Sequence, residues 1–131
     1  MNIEVLKQST AGSLAGTVAF PEVARSLIGE GVESYDADLV RLQKTFYMPD
    51  GETHVEKLDF SARPIGKEFD AAEVLAAIRA SQRDNQPYPA FLRRVMDAGT
   101  TRYIVFLNGQ KAIYFGRKGE FHVEEFPRAQ K

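Results

Sequence analysis

Residues 13–56 and 81–124 match one another without a gap at an offset of 68 positions, and that match constrains the fold more than any other feature of the chain. Ser13, Pro21, Arg25, Gly31, Tyr35, Leu39, Gly51, Glu52, His54, Val55 and Glu56 recur as Ser81, Pro89, Arg93, Gly99, Tyr103, Leu107, Gly119, Glu120, His122, Val123 and Glu124, which is 11 identities in 44 positions. Unrelated sequences of average composition would share roughly 2 or 3. Other pairs keep their chemistry, among them Phe20 and Tyr88, Leu27 and Val95, and Phe46 and Tyr114. Two copies are too few to stack as a solenoid, so a closed, pseudo-symmetric single domain is expected over 1–131. Its parts are a first repeat over about 1–60, a linker over about 61–68 containing Pro64 and Gly66, and a second repeat over about 69–131.

Each repeat reads as two helices followed by three strands. Asp70 is a good N-cap with Glu73 three residues on, and Ala71, Val74, Leu75 and Ile78 follow on one helical face. The next helix starts at Pro89, buries Tyr88, Phe91, Leu92, Val95 and Met96, and stops at Gly99. Phe20, Pro21, Val23, Ala24, Leu27, Ile28 and Gly31 repeat that helix in the first copy. A helix around 2–13 has the weakest pattern, because Ser9, Thr10 and Gly12 interrupt it. After Gly99 the period shortens to that of strands: 101–107, an Asn108-Gly109 turn, 111–117, a Lys118-Gly119 turn and 120–126. Val40-Arg41 replaces Asn-Gly in the first copy, which predicts a looser turn there. The expected class is α+β, with about four helices on one or two antiparallel sheets of about six strands in total. Both faces of Tyr103–Leu107 are apolar, so that strand is expected to be covered on both sides; Asp36 and Asp38 replace Ile104 and Phe106 in the first copy, where one face must meet water, a cation or a basic partner.

The chain has no cysteine, which excludes disulfides, thiolate metal sites and cysteine nucleophiles and suits a reducing cytosol. With no basic leader and no run of 18 apolar residues, a cytoplasmic protein without membrane association is expected. Net charge is −1, but residues 1–68 hold 7 basic and 11 acidic residues (−4) while 69–131 hold 10 basic and 7 acidic (+3). Opposite signs favour the two copies facing one another, or two chains packing head to tail, over nucleic-acid binding, and they allow a homodimer. Gly-x-Gly-x-x-Gly, Walker-type, His-Glu-x-x-His and Gly-x-Ser-x-Gly motifs are absent, so no standard catalytic class is indicated.

Three sets of residues are candidates for function. His54 and His122 each stand in Gly-Glu-x-His-Val-Glu, and alternation along a strand puts Glu52, His54 and Glu56 on one face, as it does Glu120, His122 and Glu124. Brought together, the imidazoles and carboxylates could hold a divalent metal or act as an acid/base pair, with Asp36 and Asp38 lining the same cleft. The bland reading is a solvated strand face. Arg79, Arg83, Arg93 and Arg94 form the second set, a cationic patch on the helical layer that would bind phosphate or an acidic protein unless the arginines are merely solvated or paired. Nine Phe and five Tyr fall mostly at apolar repeat positions and form the third, read as core packing before base stacking.

The stretches Phe20-Pro-Glu-Val, Gly31-Val-Glu-Ser-Tyr35, Lys44-Thr-Phe-Tyr and Pro49-Asp-Gly-Glu52, and in the second half Ala77–Gln82, Tyr88–Leu92, Tyr114-Phe-Gly-Arg117, Gly119, His122-Val-Glu124 and Phe126-Pro127, resemble a bacterial family known as domain of unknown function 1398. Many of its members carry the label phage envelope protein. The resemblance implies a small bacterial protein and supplies neither an activity nor a catalytic residue. The expected function is a binding or interaction module that takes a partner protein or small ligand, or a second copy of itself, in the groove between the repeats or on an exposed strand. No cofactor is expected beyond a divalent metal at the histidines.

Overall fold

A computed structural model describes residues 2–61 and 63–126; Met1, Ala62 of the linker, and Pro127 with the four residues after it lie outside. The chain folds in the order α1 (Ile3–Ala15), α2 (Phe20–Gly29), β1 (Ser34–Asp38), β2 (Gln43–Tyr47), β3 (Thr53–Lys57), α3 (Ala71–Arg83), α4 (Tyr88–Asp97), β4 (Arg102–Phe106), β5 (Lys111–Phe115) and β6 (Phe121–Glu125). The class is α+β. Every element of the second half begins and ends 68 residues after its counterpart in the first.

The six strands form one antiparallel sheet in the order β3-β2-β1-β4-β5-β6. Both hairpins of each half are local; the halves join where β1 pairs β4, with Ser34 opposite Phe106 and Asp38 opposite Arg102. Asp36 therefore lies opposite Ile104, its own counterpart at the 68-residue offset, and the two half-sheets are related about that point.

Local chemistry accounts for the helices. The Asp70 side chain accepts the Glu73 N–H at 3.2 Å, and Pro21 and Pro89 occupy first-turn positions where no N–H is required. Gly31 and Gly99 end α2 and α4 with φ of 83° and 91°, a conformation few other residues adopt. Helix α1 is well formed despite its weak apolar pattern. The Asn2 side chain caps it through the Glu4 N–H at 3.1 Å. Its buried face is Leu6, Ser9, Thr10 and Ser13, and the hydroxyls of Thr10 and Ser13 return to the Leu6 and Ser9 carbonyls at 3.0 and 2.9 Å. Small residues let α1 sit close to its neighbours, and the back-bonded hydroxyls carry no unmet demand into the core.

The first hairpin turns correct the sequence expectation. Both halves use a four-residue turn, 39–42 and 107–110, in which the last residue has positive φ: 55° at Leu42 and 55° at Gln110. The turn thus depends on its fourth residue rather than on Asn108-Gly109, and Val40-Arg41 makes it no looser. In the first half Asp38 Oδ1 supports the turn by accepting the N–H groups of Val40 and Arg41 at 3.0 and 2.9 Å.

One face of the sheet packs on the helices. Tyr35, Ala37, Lys44, Phe46, Tyr103, Val105, Ala112 and Tyr114 are buried at alternate strand positions. All but Lys44 join the core with Leu6, Val23, Leu27, Val74, Ile78, Leu92, Val95 and Met96. No helix among the described residues is long and apolar enough to cross a membrane.

Candidate binding surface

Strand alternation sends the remaining side chains to the other face of the sheet, which no helix among the described residues covers. In the first half this open face carries Asp36, Asp38, Gln43 and Thr45; in the second it carries Ile104, Phe106, Ile113 and Phe115. Cross-strand register aligns Ile104 with Ile113 and Ile113 with Val123, and sets Phe115 beside Phe121. These residues stand outside the core cluster. Phe121 is 64% and Val123 42% exposed. The expectation that the apolar strand is covered on both sides is therefore corrected: within the described residues β4 is covered on one side only.

At the join between the halves, Arg102 Nη2 donates to Asp36 Oδ2 at 2.9 Å. The basic partner that Asp36 requires comes from the same chain. Its Oδ1 is buried without a hydrogen-bond partner among the described residues. Burial raises the Asp36 pKa, Arg102 pulls it back down and Asp38 pushes it up further. Two shallow depressions flank this pair. One, of about 480 Å³, lies between Asp36, Tyr47, Pro49 and Phe106; the other, of about 580 Å³, lies between Ile104, Phe115 and Arg117.

The paired histidines do not converge. They stand on β3 and β6, the two outer strands, so five inter-strand spacings separate them by roughly 24 Å. No single ion or proton-transfer site takes both, and Asp36 and Asp38 project from the opposite face of the sheet. Each histidine instead pairs with the carboxylate two residues on: His54 Nε2 with Glu56 Oε2, and His122 Nε2 with Glu124 Oε1 at 3.3 Å. Glu52 precedes β3, and Glu120 Oε1 accepts the Lys118 N–H at 2.8 Å in the last turn. Among the described residues no three His, Asp or Glu side chains cluster as a metal site.

Two of the four arginines, Arg79 and Arg94, are engaged within their own half, and Arg93 lies against a ring of the first half. Arg79 Nη1 meets Glu124 Oε2 at 2.6 Å and Gln82 Oε1 at 3.0 Å, tying α3 to the β6 edge. Arg94 Nη1 donates to Gln86 Oε1 at 3.4 Å, and the Arg93 guanidinium lies 6.0 Å from the centre of the Phe60 ring. Arg83 is exposed in the last turn of α3.

Sequence reading overlooked Lys44. Its side chain enters the core between two aromatic faces, with Nζ 5.0 Å from the Tyr35 ring centre and 4.7 Å from that of Tyr88. No carboxylate lies within ion-pair distance among the described residues, and burial lowers its pKa to about 8. Around it the Tyr88 and Tyr103 hydroxyls share a hydrogen bond, and Tyr103 packs on Tyr114 with ring centres 5.1 Å apart. An amine held this way is nucleophilic in its neutral form. It is nevertheless enclosed, and both depressions lie on the other side of the sheet. The signal was available: Lys44 shares the inward period of Phe46, and its counterpart is Ala112.

No protein-family model matches this chain, and no curated protein matches it.

Proposed function

We propose that this chain is a protein-binding module whose partner-facing surface is the open face of β4, β5 and β6. The observation that carries the reading is the apolar row Ile104, Ile113 and Val123, flanked by Phe106, Phe115 and Phe121, on a face to which no helix among the described residues is packed. Contiguous apolar surface of this kind is uncommon on a chain that acts alone, and it marks an interface when polar residues rim it. Here Asp36 and Arg102 rim one side, Lys111 and Glu125 another. The flanking depressions are shallow, which suits a protein surface better than an enclosed small ligand. The absence of cysteine fits action in the reducing cytoplasm of a bacterium.

Site-specific photo-cross-linking in the native cell tests the reading. A photoreactive phenylalanine analogue at position 113 or 121 is expected to give discrete cross-linked products that the same analogue at exposed Lys7 on α1 does not give. Identical product patterns from all three positions would contradict it.

A further inference from the structure

The sheet has two edges, and they differ. In β3, Glu52 and Leu58 bond inward, through Met48 N to Glu52 O at 2.9 Å and Leu58 N to Leu42 O at 2.8 Å. In β6, Glu120 and Phe126 do the same, through Gly116 N to Glu120 O at 2.8 Å and Phe126 N to Gln110 O at 2.9 Å. Antiparallel bonding alternates, so the N–H and C=O groups of Thr53, Val55 and Lys57, and of Phe121, Val123 and Glu125, point away from the sheet. Strand β3 carries Thr53 and Lys57 on its open face, and an edge lysine is a common guard against pairing. Strand β6 has neither lysine nor proline; Phe121 and Val123 stand exposed on its open face beside Glu125, where β3 exposes Val55 alone of its apolar residues.

We propose that β6 pairs antiparallel with the β6 strand of a second copy of this chain, about a two-fold axis through Val123, to give one continuous twelve-stranded sheet. This rests on the preceding reading of the open face and names one occupant for its edge. The register that the axis imposes puts residue 121 opposite 125 of the second copy, 123 opposite 123, and 122 opposite 124. His122 of each copy then faces Glu124 of the other on the helix-covered side, at the more closely spaced pair positions, so the seam is complementary in both directions. On the open side the row Ile104, Ile113, Val123 runs on into Val123, Ile113 and Ile104 of the second copy, and Phe121 lies against the stem of Glu125. About six backbone hydrogen bonds close the outward groups of both edges. Because the contact is isologous it closes at two copies; pairing β6 with a β3 strand would propagate as a fibre and would set Lys57 against Phe121.

Sedimentation velocity of the full chain over a range of concentrations tests this, with Val123→Pro and Val55→Pro as the paired variants. The Val123 N–H points away from β5, so proline there removes no bond of the monomer's own ladder. Wild type is expected to show a monomer–dimer equilibrium, Val123→Pro to weaken it at least about a hundredfold, and Val55→Pro to change it by less than about threefold. Should circular dichroism show that Val123→Pro does not fold, Val123→Lys reads the same contact, since it brings two ammonium groups together on the axis. A wild-type chain that stays monomeric at about 1 mM, or a dimer that both Val123 variants leave intact, would overturn the proposal. A monomeric chain that still gave products with other polypeptides from position 113 would overturn only the self-pairing and leave the binding-module reading standing.

Discussion

The two halves of the sheet agree on one face and disagree on the other. On the helix-covered face the counterparts are Tyr35 and Tyr103, Phe46 and Tyr114, His54 and His122, and Glu56 and Glu124, with Lys44 against Ala112 as the outlier. On the open face they are Asp36 and Ile104, Asp38 and Phe106, Thr45 and Ile113, Tyr47 and Phe115, and Thr53 and Phe121. Packing against helices holds residues to size and polarity, so that face is bound by the fold. The open face is free of that constraint; the first half is mostly polar there and the second mostly apolar, with Val55 and Val123 the exposed pair that both halves share. The proposed partner-facing surface lies on the half whose open face is the more apolar.

Changes at one position in each class should separate packing from recognition. The largest effect is expected at Phe46, which is 1% exposed: Phe46→Ala should cost about 3–5 kcal/mol in urea unfolding. Ile113→Ser on the open face should cost about 1 kcal/mol or less while abolishing cross-linking from position 121. Comparable losses of stability at both sites would erase the distinction between the faces.

Lys44 provides the next test, because among the described residues it is the charged side chain buried in the core on the face that packing governs. Its folded pKa of about 8 lies below the ordinary 10.5, so between these values the unfolded chain holds the proton that the folded chain has released. Stability should therefore rise by about 2 kcal/mol from pH 8 to pH 10. Above pH 10 it should fall, since burial raises Tyr35, Tyr88, Tyr103 and Tyr114 above the ordinary 10.0 and the unfolded chain loses those protons first. Lys44→Met should stabilise the protein at pH 7 by about 1–3 kcal/mol and flatten the rise above pH 8. A rise that persists unchanged in Lys44→Met would assign it to another group.

Smaller effects follow where one half is made to copy the other. Asp36→Ile gives the first half the residue of the second and releases Arg102, which is half exposed, so stability should change by less than about 1 kcal/mol. The apolar row lengthens by one position, and hydrophobic-dye binding to the native protein should increase. Arg79→Ala reproduces Ala11 of the first half and removes the contact to Glu124. With Arg79 partly exposed, about 0.5 kcal/mol is expected from thermal unfolding.

Much of the fold was legible because it is local. Pro21 and Pro89 start helices and Gly31 and Gly99 stop them, and the period-2 runs mark the strands at both offsets. Helix α1 was the least legible, since its buried Ser9, Thr10 and Ser13 look polar until the hydroxyls of Thr10 and Ser13 are seen bonded to the helix itself. The site was less legible because it depends on strand order. Nothing within 34–38 or 102–106 says that β1 pairs β4; that pairing sends the histidines to opposite edges, joins Asp36 to Arg102 and leaves β6 as a border. The departure at Asp36 and Asp38 was visible in the sequence, but it marked the polar half, and the surface proposed for recognition lies across the join from it.

Amide hydrogen exchange at the two edges, followed by NMR at dilute and at high protein concentration, tests the difference between the halves most directly. The outward amides of Phe121, Val123 and Glu125 should gain at least about tenfold protection as concentration rises, while those of Thr53, Val55 and Lys57 exchange at an unchanged rate. Equal exchange at both edges at every concentration would contradict the account.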